Sequence, residues 1–151
     1  MARDARHPEG FVRPAVPLSS VVVSGDLVYT SGQVAFDAKG TLVPGGLEEQ
    51  TAQVFENLRA CLAAAGCTLD DVVKVNAYLT DLGQFNVFNR VYAERFSEPY
   101  PARTTVGAKL VDGLFVEVEA IARIPGYVGA GSGVAEERGR RPNPMWRPSE
   151  P

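Results

Sequence analysis

The sequence predicts an α+β fold, a mostly antiparallel sheet with two helices packed on one face. Three features point there: strand-like runs with period-two alternation, two stretches with apolar residues at helical spacing, and their order along the chain, ββαβαββ. With 151 residues, 45% of them hydrophobic and 22% charged, the chain suits one globular core and is too short for two ordinary domains.

Residues 1–15 hold three arginines, two prolines and no periodicity, and read as a loose N-terminal arm. Ser20–Val23 and Leu27–Val34 are strand-like and are joined by Ser24-Gly25-Asp26, a hairpin turn signal. After turn residues at 37–40 and 44–46, a helix is expected from Leu47 to Ala65. Glu48 and Glu49 suit its positive end, Val54, Leu58, Leu62 and Ala65 form an apolar stripe, and Gly66 stops it. Asp71–Leu79 alternates as a strand, with Val73, Val75, Ala77 and Leu79 on one side and Lys74, Asn76 and Tyr78 on the other. A second helix covers Phe85–Phe96 before Pro99 and Pro101 break the pattern. Two strands follow, around Ala102–Leu110 and Leu114–Arg123. The globular domain is expected over 16–126. From Tyr127 to Pro151 the Gly-rich and Arg-rich composition reads as a flexible tail, with the lone Trp146 inside it.

Composition excludes several classes of function. A net charge of −3 disfavours a polyanionic partner such as nucleic acid, which wants a clustered basic surface. No run approaches the roughly 18 apolar residues of a membrane span, and the first residues lack the apolar core of a signal peptide, so a cytoplasmic protein is expected. Cys61 and Cys67 have no metal-ligand or redox spacing and read as buried free thiols. His7 is the only histidine, which leaves no Ser-His-Asp triad and no zinc site. Ser31 lacks a nucleophile-elbow context, and Lys74 reads as a salt-bridging strand residue.

The chemistry concentrates in the last two strands. Arg103, Thr105, Gly107 and Lys109 alternate with Ala102, Thr104, Val106, Ala108 and Leu110; in the next strand Phe115, Glu117, Glu119, Ile121 and Arg123 oppose an apolar face. This pattern is read as placing Arg103 and the carboxylates of Glu117 and Glu119 on one face of the sheet. A forked cation that grips a carboxylate, beside an acid that holds a water, can hydrolyse a small acidic molecule. The face that would carry Tyr29, Tyr78, Phe115 and Ile121 is too apolar to be simply wet. It predicts a homo-oligomer whose sheets face one another, with polar residues lining the clefts.

These residues resemble a known family. Gly25 to Gln33 (GDLVYTSGQ), Ala64-Ala65-Gly66, Val73-Lys74-Val75, Asp81-Leu82, the Asn89–Phe96 helix, Pro101-Ala102-Arg103 and Val116 to Ala122 (VEVEAIA) look like the RidA/YjgF family, over about residues 16–125. The resemblance implies a chorismate-mutase-like fold assembled as a homotrimer with active sites in the clefts between subunits. It implies hydrolysis of reactive 2-imino acids to 2-keto acids and ammonia, a metabolite damage-control reaction that needs no cofactor and no metal. By the same resemblance Arg103 matches the arginine that clamps the substrate carboxylate, and Glu117 the residue that positions water. Ser31 and Gly32 match the loop lining the pocket, and Asn89 a polar residue from the second helix.

The chain departs from the family pattern at two pocket positions. Leu18 stands where archetypal members have tyrosine, and Thr105 follows Thr104 where they have a small residue and cysteine. Both changes spare the clamp and the water position and bear on substrate identity. They also support an alternative, a non-catalytic trimer that binds small carboxylates in an accessory role, because fold does not fix function.

Overall fold

A computed structural model describes residues 2–129; the tail beyond, Trp146 included, lies outside the described residues. The elements in order are β1 (Asp4–Arg6), β2 (Val21–Ser24), β3 (Leu27–Thr30), α1 (Leu47–Ala63), β4 (Val72–Leu79), α2 (Phe85–Arg95), β5 (Ala102–Gly107) and β6 (Val116–Arg123). They form one six-stranded sheet in the order β1-β2-β3-β6-β4-β5. Every pairing is antiparallel except β4 with β5, which the crossover through α2 makes parallel. The expected α+β fold with two helices on one sheet face is what the chain adopts.

The core lies between the helices and one sheet face. Val54, Phe55, Leu58 and Leu62 of α1 and Phe88 of α2 meet Val28, Val75, Leu79, Val116 and Val118 from the strands, all essentially without solvent contact. Gly66 has φ +74 just past α1 and turns the chain there, a conformation that costs a glycine little. Cys61 and Cys67 are free and buried, and burial pushes the Cys61 thiol up to about 12.

The structure corrects three sequence-based expectations. The N-terminal arm is not loose throughout: Asp4–Arg6 pairs with Val21–Val23 as an edge strand too short and polar to show a period. A register shift between Val72 and Lys74 puts Val72 in the core and leaves Val73 exposed, so the alternation begun at Val73 holds only from Lys74 onward.

The third correction concerns Arg103. Val75 pairs with both Arg103 and Ala120, whereas Tyr78 pairs with Glu117 and Asn76 with Glu119. Paired residues share a face, so Arg103 and Thr105 point to the helix side while Glu117 and Glu119 occupy the open side. Within one chain the arginine and the carboxylates lie on opposite faces. On that edge strand the polar residues turn inward because α2 presents aromatic rings, on which a flat guanidinium stacks. The apolar alternates such as Val106 turn out and remain exposed.

Candidate active site

The helix side holds the first group of site residues. α2 carries Phe85, Phe88 and Tyr92 over the start of β5, and the Arg103 guanidinium carbon sits 5.6, 5.4 and 4.6 Å from their ring centres. Asn89, one turn beyond Phe85, accepts a hydrogen bond from Arg103 Nη2 at 2.7 Å. Rings and amide together fix the plane of the guanidinium. The ion pairs among the described residues use Arg6, Arg59, Arg90, Arg95 and Arg123, which leaves the remaining Arg103 N–H groups for a ligand. A cation held by rings rather than neutralised by a carboxylate keeps its charge for an incoming anion.

Two hydroxyls near this arginine are buried and unpartnered, Thr105 Oγ1 and Tyr92 OH. Orphan groups of this kind each cost about 1–3 kcal/mol and commonly mark a place where a ligand or water completes the site. Burial raises the Tyr92 phenol above its usual value, with the Arg103 charge pulling the other way. Thr105 lies two residues from Arg103 along β5, on the same sheet face.

The open side holds the second group. Gln33 exchanges backbone hydrogen bonds with Val118 at 2.8 and 3.1 Å, which pins the loop after β3 onto β6 next to Glu117. Ser31 braces the same loop: its hydroxyl donates to the Ser19 carbonyl at 2.6 Å, so that side chain is engaged with the backbone. Gly32 follows, and a Cβ there would land on the Glu117 carboxylate. The missing side chain is what lets the carboxylate stand against the loop.

Glu117 shares a depression of about 330 Å³ with Gly32, Tyr78, Lys109 and Glu119. Tyr78 donates to Glu119 Oε1 at 2.7 Å. Burial, and after it the Glu119 charge, raise the Glu117 carboxyl above its ordinary value. Such a carboxyl takes up and returns protons more readily near neutral pH than an exposed one.

Leu18 lines a separate cavity of about 480 Å³, with Ser31 and Gly32 in its wall. The site residues thus fall into two sets. Arg103, Asn89 and Thr105 sit under α2; Glu117 meets Gly32 on the far side of the sheet, and Leu18 and Ser31 line the neighbouring cavity, whose wall also includes Asn57 of α1. In register, Arg103 and Glu117 are two strands and three residues apart, roughly 14 Å between α-carbons at ordinary sheet spacings. A small molecule cannot bridge that gap through the sheet. Sequence reasoning missed the aromatic seat of Arg103, although Phe85, Phe88 and Tyr92 at helical spacing were a legible stripe. It also missed the Tyr78–Glu119 bond, which depends on register. Among the described residues no three His, Cys, Asp or Glu side chains cluster as metal ligands.

Comparisons with known proteins agree with this architecture. A family model described as Endoribonuclease L-PSP matches residues 11–124. The chain is 42% identical over 116 residues to a RutC family protein of Pyrococcus horikoshii, covering 76% of this chain and 92% of that one. It is also 42% identical over 108 residues to the 2-iminobutanoate/2-iminopropanoate deaminase of Bos taurus, covering 70% and 79%. The crystal structure of RidA from the Antarctic bacterium Psychrobacter sp. PAMC 21119 superposes with a TM-score of 0.76 at 41% identity, covering 81% of this chain and all of that one.

Proposed function

The chain belongs to the RidA/YjgF family, and from that premise we propose that it hydrolyses small 2-imino acids to 2-keto acids and ammonia. The observation that carries the reading is Arg103, a half-buried guanidinium oriented by Asn89 and three rings, with N–H groups left for a carboxylate. A 2-imino acid carries its carboxylate next to an electrophilic C=N, so a two-point grip on the carboxylate also aims the reacting carbon. Its relatives include proteins named as deaminases of such imines.

In the proposed reaction, the Glu117 carboxylate takes a proton from water as the water oxygen bonds to the imine carbon. Glu117 passes that proton to the imine nitrogen, giving a neutral tetrahedral carbinolamine. Glu117 then takes the proton of the new hydroxyl as the C=O bond forms and delivers it to the nitrogen as the C–N bond breaks, so that ammonia leaves and the carboxylate is regenerated. One carboxyl with raised proton affinity alternates between base and acid. Thr105, whose hydroxyl lacks a partner, is the natural second contact for the bound carboxylate.

Because the two sets lie on opposite faces, the working site is assigned to the junction of two copies, one giving Arg103, Asn89 and Thr105, the other Glu117 and Gly32. The open face supports assembly: Tyr29, Val73, Val106 and Phe115 are each 40–48% exposed there. A homotrimer with three such clefts, as the family resemblance implies, satisfies both demands. The net charge of −3, with Glu117 and Glu119 at the site, weighs against an RNA backbone as substrate.

The test is hydrolysis of 2-iminobutanoate, generated in situ from threonine by a dehydratase. Wild type should accelerate ammonia release over a blank, and Arg103→Ala should lose most of the effect. Binding of 2-oxobutanoate without any acceleration would instead favour the accessory, non-catalytic reading.

A further inference from the structure

We propose that the cavity under the N-terminal segment is the side-chain pocket of this site, and that it selects 2-imino acids with large, uncharged, apolar side chains. The inference rests on the deaminase reading and adds the substrate class to it. The cavity, about 480 Å³, lies between residues 7–18 and the loop after β3. That volume falls within the roughly 300–1,000 Å³ usual for small-molecule sites, far more than a methyl or ethyl side chain needs.

Its position follows from Gly32, which lines both this cavity and the Glu117 depression. The Glu117 carboxylate stands against this shared glycine, so the two hollows adjoin at the proton carrier of the proposed reaction. A substrate whose imine carbon faces Glu117 then has the larger hollow beside it for its side chain.

The walls define what fits. Val12, Val16, Leu18 and Phe36 are 39–58% exposed around this one concavity. That much apolar surface turned inward on a hollow calls for an apolar occupant. Apart from Arg13, which is exposed, the charged and polar side chains of the wall are mostly engaged. His7 is held between the Ser20 hydroxyl at 2.7 Å and the Phe11 carbonyl at 2.9 Å. Asn57 donates to the carbonyls of Val34 and Phe36, both at 2.8 Å, and Gln33 donates to that of Ser31 at 3.1 Å. Asp37 accepts from the amides of Lys39 and Thr41. A hydrocarbon chain loses nothing on entering, whereas a carboxylate or hydroxyl would give up water for few free partners. Leu18 in place of an aromatic hydroxyl acts in the same direction.

Calorimetry with three product acids, pyruvate, 4-methyl-2-oxopentanoate and 2-oxoglutarate, tests the pocket, with turnover of the matching imines measured in parallel. The branched acid should bind about tenfold or more tightly than pyruvate, from the extra buried carbons, and the dicarboxylate no better than pyruvate. Val16→Trp, which fills the cavity, and Phe36→Ser, which strips its wall, should each bring the branched-to-small ratio within about twofold. Equal or weaker binding of the branched acid overturns the proposal. So does a Val16→Trp protein that loses its assembly but keeps the ratio, because a neighbouring copy would then be the occupant. Preferential binding without turnover of any imine would sink the deaminase and leave the pocket assigned. Turnover confined to the smallest imine would do the reverse.

Discussion

Mixing two inactive variants tests the opposed faces directly. Arg103→Ala removes the clamp and Glu117→Gln removes the proton carrier; each alone should be inactive in imine hydrolysis. Loss of a carboxylate's only close charge partner costs on the order of 2–5 kcal/mol, a 30-fold or greater fall in kcat/KM. If one copy supplies Arg103 and its neighbour Glu117, assemblies mixed at equal dose contain some sites with both groups intact. The chance is one half that the clamp-giving copy is wild type at 103 and one half that the other is wild type at 117, so about a quarter of sites recover in a closed ring. Co-expression, purification through two tags and the threonine-dehydratase assay would read this as activity near a third of wild type, because the two tags remove the unmixed rings and every mixed trimer holds one intact site in about three. If both residues of a working site came from one chain, every site would carry a defect and mixing would restore nothing. No recovery in demonstrably mixed assemblies would refute the assignment of the two faces to two copies.

Other consequences follow from the same residues. Gly32→Ala should fold with a change in melting temperature of a few degrees at most, since it meets only the end of a flexible side chain, yet lower kcat by on the order of 100-fold by displacing Glu117; a full-activity protein would remove Gly32 from the site. Asn89→Ala should raise KM about fivefold, the worth of one hydrogen bond that aims the guanidinium, with kcat less affected; an unchanged KM would show that the rings alone orient it. Burial and the Glu119 charge raise Glu117's folded value above its unfolded one. Its contribution to stability is thus fully present below the unfolded value, near pH 4.3, and lost as pH rises through the folded one. Glu117→Gln should therefore melt higher than wild type at pH 7 and no higher near pH 4, and a gap independent of pH would contradict this.

Most of the fold was legible because its signals are local. The stripe of Val54, Leu58 and Leu62 with Gly66 beyond it, and the Phe85–Phe96 pattern ended by prolines, locate both helices within two residues. The alternation of Val116, Val118, Ala120 and Ala122 identifies the buried face of β6 without ambiguity. β1 escaped because three exposed residues carry no periodicity, and what makes them a strand is the edge that Val21–Val23 offers. Val73 was misplaced for a related reason: a register shift is a property of two strands, and one strand's alternation cannot announce it.

The site was legible as a set of residues and not as an arrangement. Alternation assigns side chains to two faces but does not say which face meets the helices; hydrophobicity normally decides, and at β5 it decides wrongly. Ala102, Thr104 and Val106 look like the inner set, yet the inner position goes to Arg103 because its stacked guanidinium buries more surface against Phe85, Phe88 and Tyr92 than alanine could. An edge strand permits this, since the charged tip can reach solvent beyond the last row of the sheet. The same inversion moves the clamp away from the carboxylate that should serve it. If Arg103 binds the substrate carboxylate and Glu117 carries the proton, as proposed, a complete site forms only where two copies of the chain meet. On that proposal assembly is a condition of the chemistry, and a variant that weakens the open face around Tyr29 and Phe115 should lose activity in step with any loss of oligomer, with Arg103 and Glu117 untouched; full activity from a monomer, measured by light scattering beside the ammonia assay, would refute it.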